Sequence, residues 1–495
     1  MRVLFLPHGR RHNYFIELLR QARETAGWEI SVICEENARD AYDGIVASDD
    51  HVYALPDFAV TANDIDMAAN VRLIAGSEQA SDIPVNRLIL ASERDIGRAF
   101  GLPAYHWPLR RVARRALADN SFPRRVVYAQ FAFMDDVIRA ANPDLILTGN
   151  FASPHHTAAA MIAAHRGIPA LSGRSSKIFT DRTFWTRDIA MLNTDAESQY
   201  AANAKAARPV SAMAYELIDK FRNKPSTVGY IARYWKSGDA ETWLSRHRFF
   251  VELLVTRVAH KVRRRTSAPR PVLPAVAEYY RTRYLAGRQR KFFSRPETAE
   301  LTRQKYVYLP FHKEPELAIN FQAPSFHNQY ETAAQISAAL PHDAILIVRE
   351  HRLNRGRRPT RYYRALAALP NVVLADPFDD QFKYIRHAEV IITDNGSSGW
   401  EGLLLGRRVI TLARTFYDSP GIGVTAKSIA DLPKLLLEAL GGGTPHDLDS
   451  TDRRLGWLID AEFETTTSED ADGHAESIRK INDDVSRRAK TGIER

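Results

Sequence analysis

The chain has 495 residues, 45% of them hydrophobic and 26% charged, an ordinary globular balance spread over more chain than one hydrophobic core serves. Its one cysteine, Cys34, excludes an internal disulfide and is expected to be a plain buried thiol at a strand end, in a reducing compartment. The net charge is +9, yet residues 246–295 alone hold 14 Lys or Arg against 2 Glu, a net +12, so the basic character is local and suits an anionic partner.

The opening "MRVLFLPHGRRH" has an apolar run only from Val3 to Leu6, too short for a secretion signal. No stretch approaches the roughly 20 apolar residues of a membrane span. The expected location is cytoplasmic, with at most peripheral contact on the inner membrane face. "RVLFLP" reads as a strand, "NYFIELLRQARETAG" as an amphipathic helix stopped by Gly27, and "EISVICE" as the next strand. Near residue 150, "NPDLILTGNFASPHHTAAAMIAAHRGIPALS" repeats the plan: strand Asp144–Thr148, small-residue loop, Ala-rich helix, Gly167, strand. Such β-loop-α-β units build parallel sheets covered by helices.

Regular alternation fails over 205–300, where "RFFVELLVTRVAHKVRRR" predicts an amphipathic helix and "SAPRPVLP" a Pro-rich linker. Beyond it, strands are expected at Tyr306–Leu309, Ala344–Arg349, Val372–Ala375, Val390–Thr393 and Val409–Leu412. Helices are expected at Gln329–Leu340, Arg361–Leu369, Gln381–His387, capped by Asp379 or Asp380, and Pro433–Leu440. From Thr444 the chain turns polar, and "TTTSEDADGH" is expected to be mobile. The fold class is therefore α/β: a Rossmann-like domain over 1–204, a basic helical insertion over 205–300, a second Rossmann-like domain over 301–443, and a polar segment over 444–495, partly helical or mobile.

Ligands of open α/β sheets lie beyond the carboxyl ends of the strands, and three such ends carry unusual chemistry. "LPFHKEPE" sets His312 and Glu316 at the mouth of a cleft, or is simply a Pro-bent loop with solvated charges. "LIVREHRLNRGRRPTR" delivers Glu350, His351 and Arg352 ahead of a run of arginines. Guanidinium suits phosphate, though most of that run reads as a solvated basic loop. "ITDNGSSGWEG" places Gly396 and Gly399 where phosphate can approach the backbone at a helix N-terminus. Ser397 and Ser398 add hydroxyl donors, and Glu401 is a candidate acceptor for ribose hydroxyls; the plain alternative is an N-cap serine and a packing glycine. In the N-terminal half, His8, His12 and His155 are candidates for a general base, which stays unassigned. No Cys/His cluster has zinc spacing and no aspartate pair signals a divalent metal, so no metal and no resident cofactor is expected.

The blocks "YLPFHKEPE", "ILIVREHR" and "LPNVVLADPFDDQFKYIRHAEVIITDNGSSGWEGLLLGRRVITLARTFYD" resemble those of capsule polysaccharide biosynthesis proteins, the family that includes the Kdo transferases. His312, Pro315 and Glu316 match the first block, Glu350 and His351 the second, and Ser398, Gly399, Trp400 and Glu401 the third, with Phe416-Tyr417 closing it. The resemblance covers about residues 305–420 well, and "RHNYFIELLRQA" and "NPDLILTGN" more faintly. It implies a GT-B glycosyltransferase: two Rossmann-like domains facing a cleft, a nucleotide-sugar in the C-terminal one, a glycan or lipid-linked acceptor near the N-terminal one, and usually no metal. It also implies that the histidine and the Ser-Gly loop contact the donor nucleotide and its phosphate. Arg352 stands where the family usually has Pro, and Lys313-Glu314 replaces a Tyr-Gln pair. These departures count against a CMP-linked donor and leave the nucleotide open. The loop is also similar to that of nucleotide-sugar 2-epimerases. Epimerase, polyol-phosphate transferase and a non-enzymatic polysaccharide-binding role in capsule assembly or export are the competing readings. An anionic membrane surface is the expected partner of 246–295, and nucleic acid is not expected, because that segment lacks an interleaved stacking pattern.

Overall fold

In a computed structural model of the chain, the described residues are 1–7, 12–48, 51–95, 119–151, 153–226, 247–252, 254, 255, 258, 272–314, 319, 322–441 and 447–491. Strands β1 (Arg2–Leu6), β2 (Glu29–Cys34), β3 (Val52–Ala54), β4 (Leu145–Thr148), β5 (Ala170–Ser175) and β6 (Arg182–Thr186) come first. Then follow β7 (Tyr306–Pro310), β8 (Ile345–Arg349), β9 (Val372–Ala375), β10 (Val390–Thr393), β11 (Arg408–Thr411), β12 (Val424–Thr425) and the short β13 (Thr467–Ser468).

They form two sheets. The first runs β3-β2-β1-β4-β5-β6-β13, parallel except where β6 pairs antiparallel with β5 and β13. The second runs β9-β8-β7-β10-β11-β12 and is parallel throughout. Counted within its own domain, each sheet starts 3-2-1-4-5-6, the Rossmann order, in which the strand order reverses beside the first strand. Both halves are thus of the α/β class that their repeated β-loop-α-β units predict.

Alternation along each strand divides its side chains between two helical layers. Leu4 and Leu6 of β1 bury against helices Met67–Ser81, Phe122–Ala141 and Pro154–His165, while Val3 and Phe5 bury against helices His12–Ala26 and Ala471–Thr491. In the second sheet, Val307 and Leu309 face helices Gln329–Ala339, Thr360–Ala367 and Leu432–Leu440. Tyr306 and Tyr308 face the other layer, which includes helices Thr194–Lys205, Ala212–Asn223, Ser397–Leu404 and Leu448–Thr465. Cys34 closes β2 as a buried free thiol.

The partition of the chain differs from its linear reading in two places. Residues 194–204 pack with the second sheet, because Ala196 and Tyr200 bury into the cluster that holds Trp457, Leu458 and Tyr417. The polar tail is built into the fold: helix Leu448–Thr465 covers the second sheet, β13 joins the first, and Ala471–Thr491 lies along His12–Ala26. "TTTSEDADGH", expected to be mobile, supplies β13 and the start of that last helix. Thr467 Oγ1 pairs with Ser477 Oγ at 2.8 Å, and Asp470 accepts from Ser468 Oγ at 2.7 Å and Gly473 N at 2.9 Å. Local hydrogen bonds thus replace the apolar pattern that the segment lacks.

Candidate active site

Adjacent parallel strands β10, β7 and β8 deliver three loops to one edge of the second sheet, and the strand order reverses between β7 and β10, the place where sheets of this kind form a ligand crevice. His312 follows β7 and is clamped by its backbone: its N–H donates to Gln329 Oε1 (2.6 Å), and its carbonyl accepts from Gln329 Nε2 (3.1 Å) and Asn354 Nδ2 (3.2 Å). The ring reaches across the reversal, with Nε2 3.5 Å from Thr393 Oγ1 and 3.7 Å from Asp394 Oδ2. That separation would suit an ion pair, but burial pushes His312 down to about 4 and, with Glu314 nearby, pushes Asp394 up to about 8. Near neutral pH both are uncharged.

The loop after β8 separates two roles that the sequence had merged. Glu350 is 2% exposed and turns inward. One oxygen accepts from His351 N (2.7 Å) and Asn354 Nδ2 (3.3 Å), the other from Arg358 Nε (2.6 Å) and Tyr363 Oη (3.0 Å). Arg358, 1% exposed, also meets Glu314 at 3.3 Å and lies 4.7 Å from the centre of the Tyr362 ring. Glu350 is therefore an internal strut and not a donor contact, because four donors already satisfy its oxygens. His351 is half-buried and opens the turn Arg352–Asn354, its Nδ1 accepting from Leu353 N at 3.2 Å. An acceptor Nδ1 fixes the neutral tautomer, leaving the hydrogen on Nε2 as a donor. Burial, reinforced by His312, Lys313, Arg349 and Arg358, holds His351 down to about 3, so that donor is uncharged. Arg352 donates through Nε to the Pro377 carbonyl (3.1 Å) and lies over Phe378, which ties it to the loop after β9.

The third loop begins with Thr393, whose Oγ1 accepts from Gly396 N at 3.1 Å. The cap of helix Ser397–Leu404 is Gly396, one position before the first serine. A Cβ on Gly396 would lie 2.8 Å from Thr393 Oγ1 and 3.2 Å from His312 Cε1, so this glycine lets the helix start abut the histidine. Gly399 has a different cause: a Cβ there would strike Tyr417 Oη, whose hydroxyl donates to the Gly396 carbonyl at 2.7 Å. It is a packing glycine, the alternative weighed for it above. Ser397 and Ser398 are half-buried at the helix start, where N–H groups lack intrahelical acceptors. Glu401 is fully buried, with Gln381 Nε2 at 3.1 Å from Oε2 and no partner for Oε1, and burial pushes it up to about 8 against the opposing Ser397 hydrogen bond and Arg349. Sealed behind the helix, it cannot receive ribose hydroxyls in this conformation.

Of the remaining candidates, Glu316 and His8 lie outside the described residues. His12 begins helix His12–Ala26, but its side chain lies outside them too. His155 is half-buried near the start of helix Pro154–His165, with its ring 5.9 Å from Phe58 and 4.3 Å from His156. His156 is buried, with Nε2 3.2 Å from the Pro7 carbonyl at the end of β1. Among the described residues no cluster of three or more His, Cys, Asp or Glu is placed to hold a metal ion.

Sequence reasoning passed over three residues. Gln322 links the crevice to the first half of the chain, accepting from Asn395 Nδ2 and donating to the Ala190 carbonyl, both at 2.5 Å. Thr393 and Asp394 were visible only as the end of an apolar run. Their meaning depends on His312, 81 residues away along the chain from Thr393.

No family model and no curated protein matches the chain. Solved structures to which it is similar include a putative UDP-N-acetylglucosamine 2-epimerase from Listeria monocytogenes (13% identity, 92% of this chain and 90% of that one, TM-score 0.26). Another is the glycotransferase of kitacinnamycin (13%, 97% and 98%, 0.27). A third is KpsC, a beta Kdo 2,7 transferase from Thermosulfurimonas dismutans (12%, 71% and 89%, 0.31). Likenesses this distant carry no activity across, and the two-sheet architecture rests on its own strand order.

Proposed function

We propose that the chain is a glycosyltransferase of GT-B type that builds a capsule or other surface polysaccharide, moving a sugar from a nucleotide-sugar to a glycan or lipid-linked acceptor. One arrangement carries this reading: a neutral His351 with a free-standing donor nitrogen and the helix start at Ser397–Ser398 flank His312 where the strand order of a Rossmann sheet reverses. Backbone N–H groups, two hydroxyls and an imidazole donor suit the phosphates of a nucleotide. His312 would line the sugar end of the crevice, and His155 is the base candidate with a described side chain. The resemblance of the sequence blocks to those of capsule proteins supports this substrate class.

The experiment is a thermal-shift screen with CMP, CDP, UDP, GDP and dTDP. A nucleotide at about 100 times its dissociation constant adds roughly 2.7 kcal/mol of stability. The winning base names the donor class, and its sugar conjugates are then tried with and without acceptors. Sugar interconversion without any acceptor would replace the transferase by an epimerase, and failure of every nucleotide to bind would remove both.

The acceptor side of the proposal includes a membrane. Among the described residues no helix is long and apolar enough to cross one. Val251, Leu254, Val255 and Val258, spaced as one helical stripe, are each 53–61% exposed. Tyr284 is likewise exposed on the nearby helix Val272–Gln289, which carries Arg283 and Arg288. An apolar stripe beside arginines fits an anionic lipid surface presenting a lipid-linked acceptor.

A further inference from the structure

A second pocket, of about 740 Å³, lies on the far side of the loop that follows β11. Helix Thr194–Lys205 turns one face to it, with Glu197, Tyr200, Ala201 and Ala204 at positions i, i+3, i+4 and i+7. Helix Leu448–Thr465 presents Ser450, Arg453, Arg454 and Trp457 at the same spacing. The two alanines create the depth, and loop 414–421 closes the end.

Its polar groups are unevenly committed. Arg414 Nη2 donates to both oxygens of Glu197 at 3.0 and 3.1 Å and its Nη1 to Asp188 Oδ2 at 3.4 Å, and Asp418 accepts from Thr425. Arg453 and Arg454 have no carboxylate partner among the described residues. Gly421, in the left-handed region at φ +84°, leaves the space that the Arg454 guanidinium fills; a Cβ there would strike it. The aromatic walls offer no free polar handle, since Tyr200 Oη donates to the Pro420 carbonyl (2.8 Å) and Trp457 Nε1 to the Arg208 carbonyl (2.7 Å). What remains is the small exposed edge of two mutually packed rings beside two guanidinium groups without carboxylate partners among the described residues and the Ser450 hydroxyl. That combination suits a small ring with C–H faces, hydroxyls and one negative charge.

We propose that this pocket binds a sugar unit bearing a carboxylate or a phosphate, resting beside the Tyr200 and Trp457 rings, which pack edge to face at 6.5 Å, with its anion on Arg453 and Arg454. The site is separate from the nucleotide crevice but shares a loop with it: Tyr417, which props the Gly396 carbonyl, immediately precedes Asp418 of the pocket. An acidic glycan could therefore rest here without occupying the donor site. The inference stands whether or not the crevice binds a nucleotide.

The test is titration calorimetry of the full chain with glucuronate, glucose 6-phosphate and neutral glucose. The charged sugars are expected to bind at least about ten-fold more tightly than glucose, the gain of one hydrogen-bonded charge. Binding of only one of them identifies the anion as carboxylate or phosphate. Arg453→Ala/Arg454→Ala removes the preference for charge, whereas Ala201→Phe, which fills the pocket without altering its charge, abolishes binding of all three. Melting temperatures and nucleotide-induced shifts of both variants should match the parent, which separates loss of this site from misfolding. No binding of either charged sugar, equal binding of glucose, or binding that survives both variants would overturn the proposal.

Discussion

Replacing Arg358 by Met tests whether the two histidine loops are held by one buried cation. Arg358 is 1% exposed and lies between Glu350 (2.6 Å) and Glu314 (3.3 Å), themselves 2% and 3% exposed. Methionine keeps much of the volume and the contact with Tyr362 but strands two buried carboxylates. Breaking a buried pair from one side costs about 3–5 kcal/mol, chiefly the desolvation of the charge left behind. Removing the exposed Arg20–Glu17 pair instead should cost at most about 1 kcal/mol. Urea denaturation of Arg358→Met, Arg20→Ala and the parent gives both figures. A triple variant that also carries Glu314→Gln and Glu350→Gln should recover most of the loss, because uncharged amides remove the stranded carboxylates. Glu350 also accepts from His351 N, and Asn354 ties Glu350 to the His312 carbonyl, so nucleotide affinity should fall in Arg358→Met even where the protein is fully folded. A loss in Arg358→Met no greater than in Arg20→Ala would refute the strut.

His351→Ala deletes the uncharged Nε2 donor and should weaken nucleotide binding by about ten-fold or more, the usual worth of a hydrogen bond to a charged acceptor; calorimetry with the preferred nucleotide decides. Gly399→Ala forces Tyr417 off the Gly396 carbonyl and should destabilise by about 1–3 kcal/mol, the usual cost of overpacking, with an unchanged melting curve as the contrary result. Asp394 and Glu401, raised to about 8, hold protons in the folded state that the unfolded chain releases near pH 4, so their stabilising effect is complete in acid and fades as pH rises towards 8. His312 and His351, lowered to about 4 and 3, act oppositely: below about pH 6.5 the unfolded chain takes up protons that the fold refuses, and stability drops. Stability should therefore fall on both sides of a mildly acidic maximum, with Asp394→Asn flattening the alkaline limb; an alkaline limb unaltered by that change would contradict a protonated Asp394. Val255→Asp should lower co-sedimentation with anionic vesicles and leave neutral vesicles unaffected, and parent binding that ignores both lipid charge and salt would remove the membrane from the proposal.

The strands of the second sheet were legible because parallel strands buried on both faces read as short apolar runs bounded by polar residues. Val372–Ala375 and Val390–Thr393 fall where the sequence puts them, and Asp380 caps its helix by accepting from Phe382 N. The three strand-end loops were legible for the same reason, since sheet topology alone brings them to one edge. What each polar residue does there was not. Glu350 and His351 are neighbours in sequence with similar apparent promise, yet one points into the core and the other caps a turn at the crevice. The difference is set by Arg358 and Tyr363, eight and thirteen residues downstream. Glu401 looked like a ribose acceptor because it stands on the first turn of its helix, but its side chain is buried and Gln381 Nε2 donates to it from helix Gln381–His387. Spacing therefore locates a strand-end loop, whereas the environment of a carboxylate within it depends on which distant donors fold against it. His351 is placed by a local partner instead: the backbone N–H two residues on consumes Nδ1, and the geometry of the turn alone leaves Nε2 as the donor.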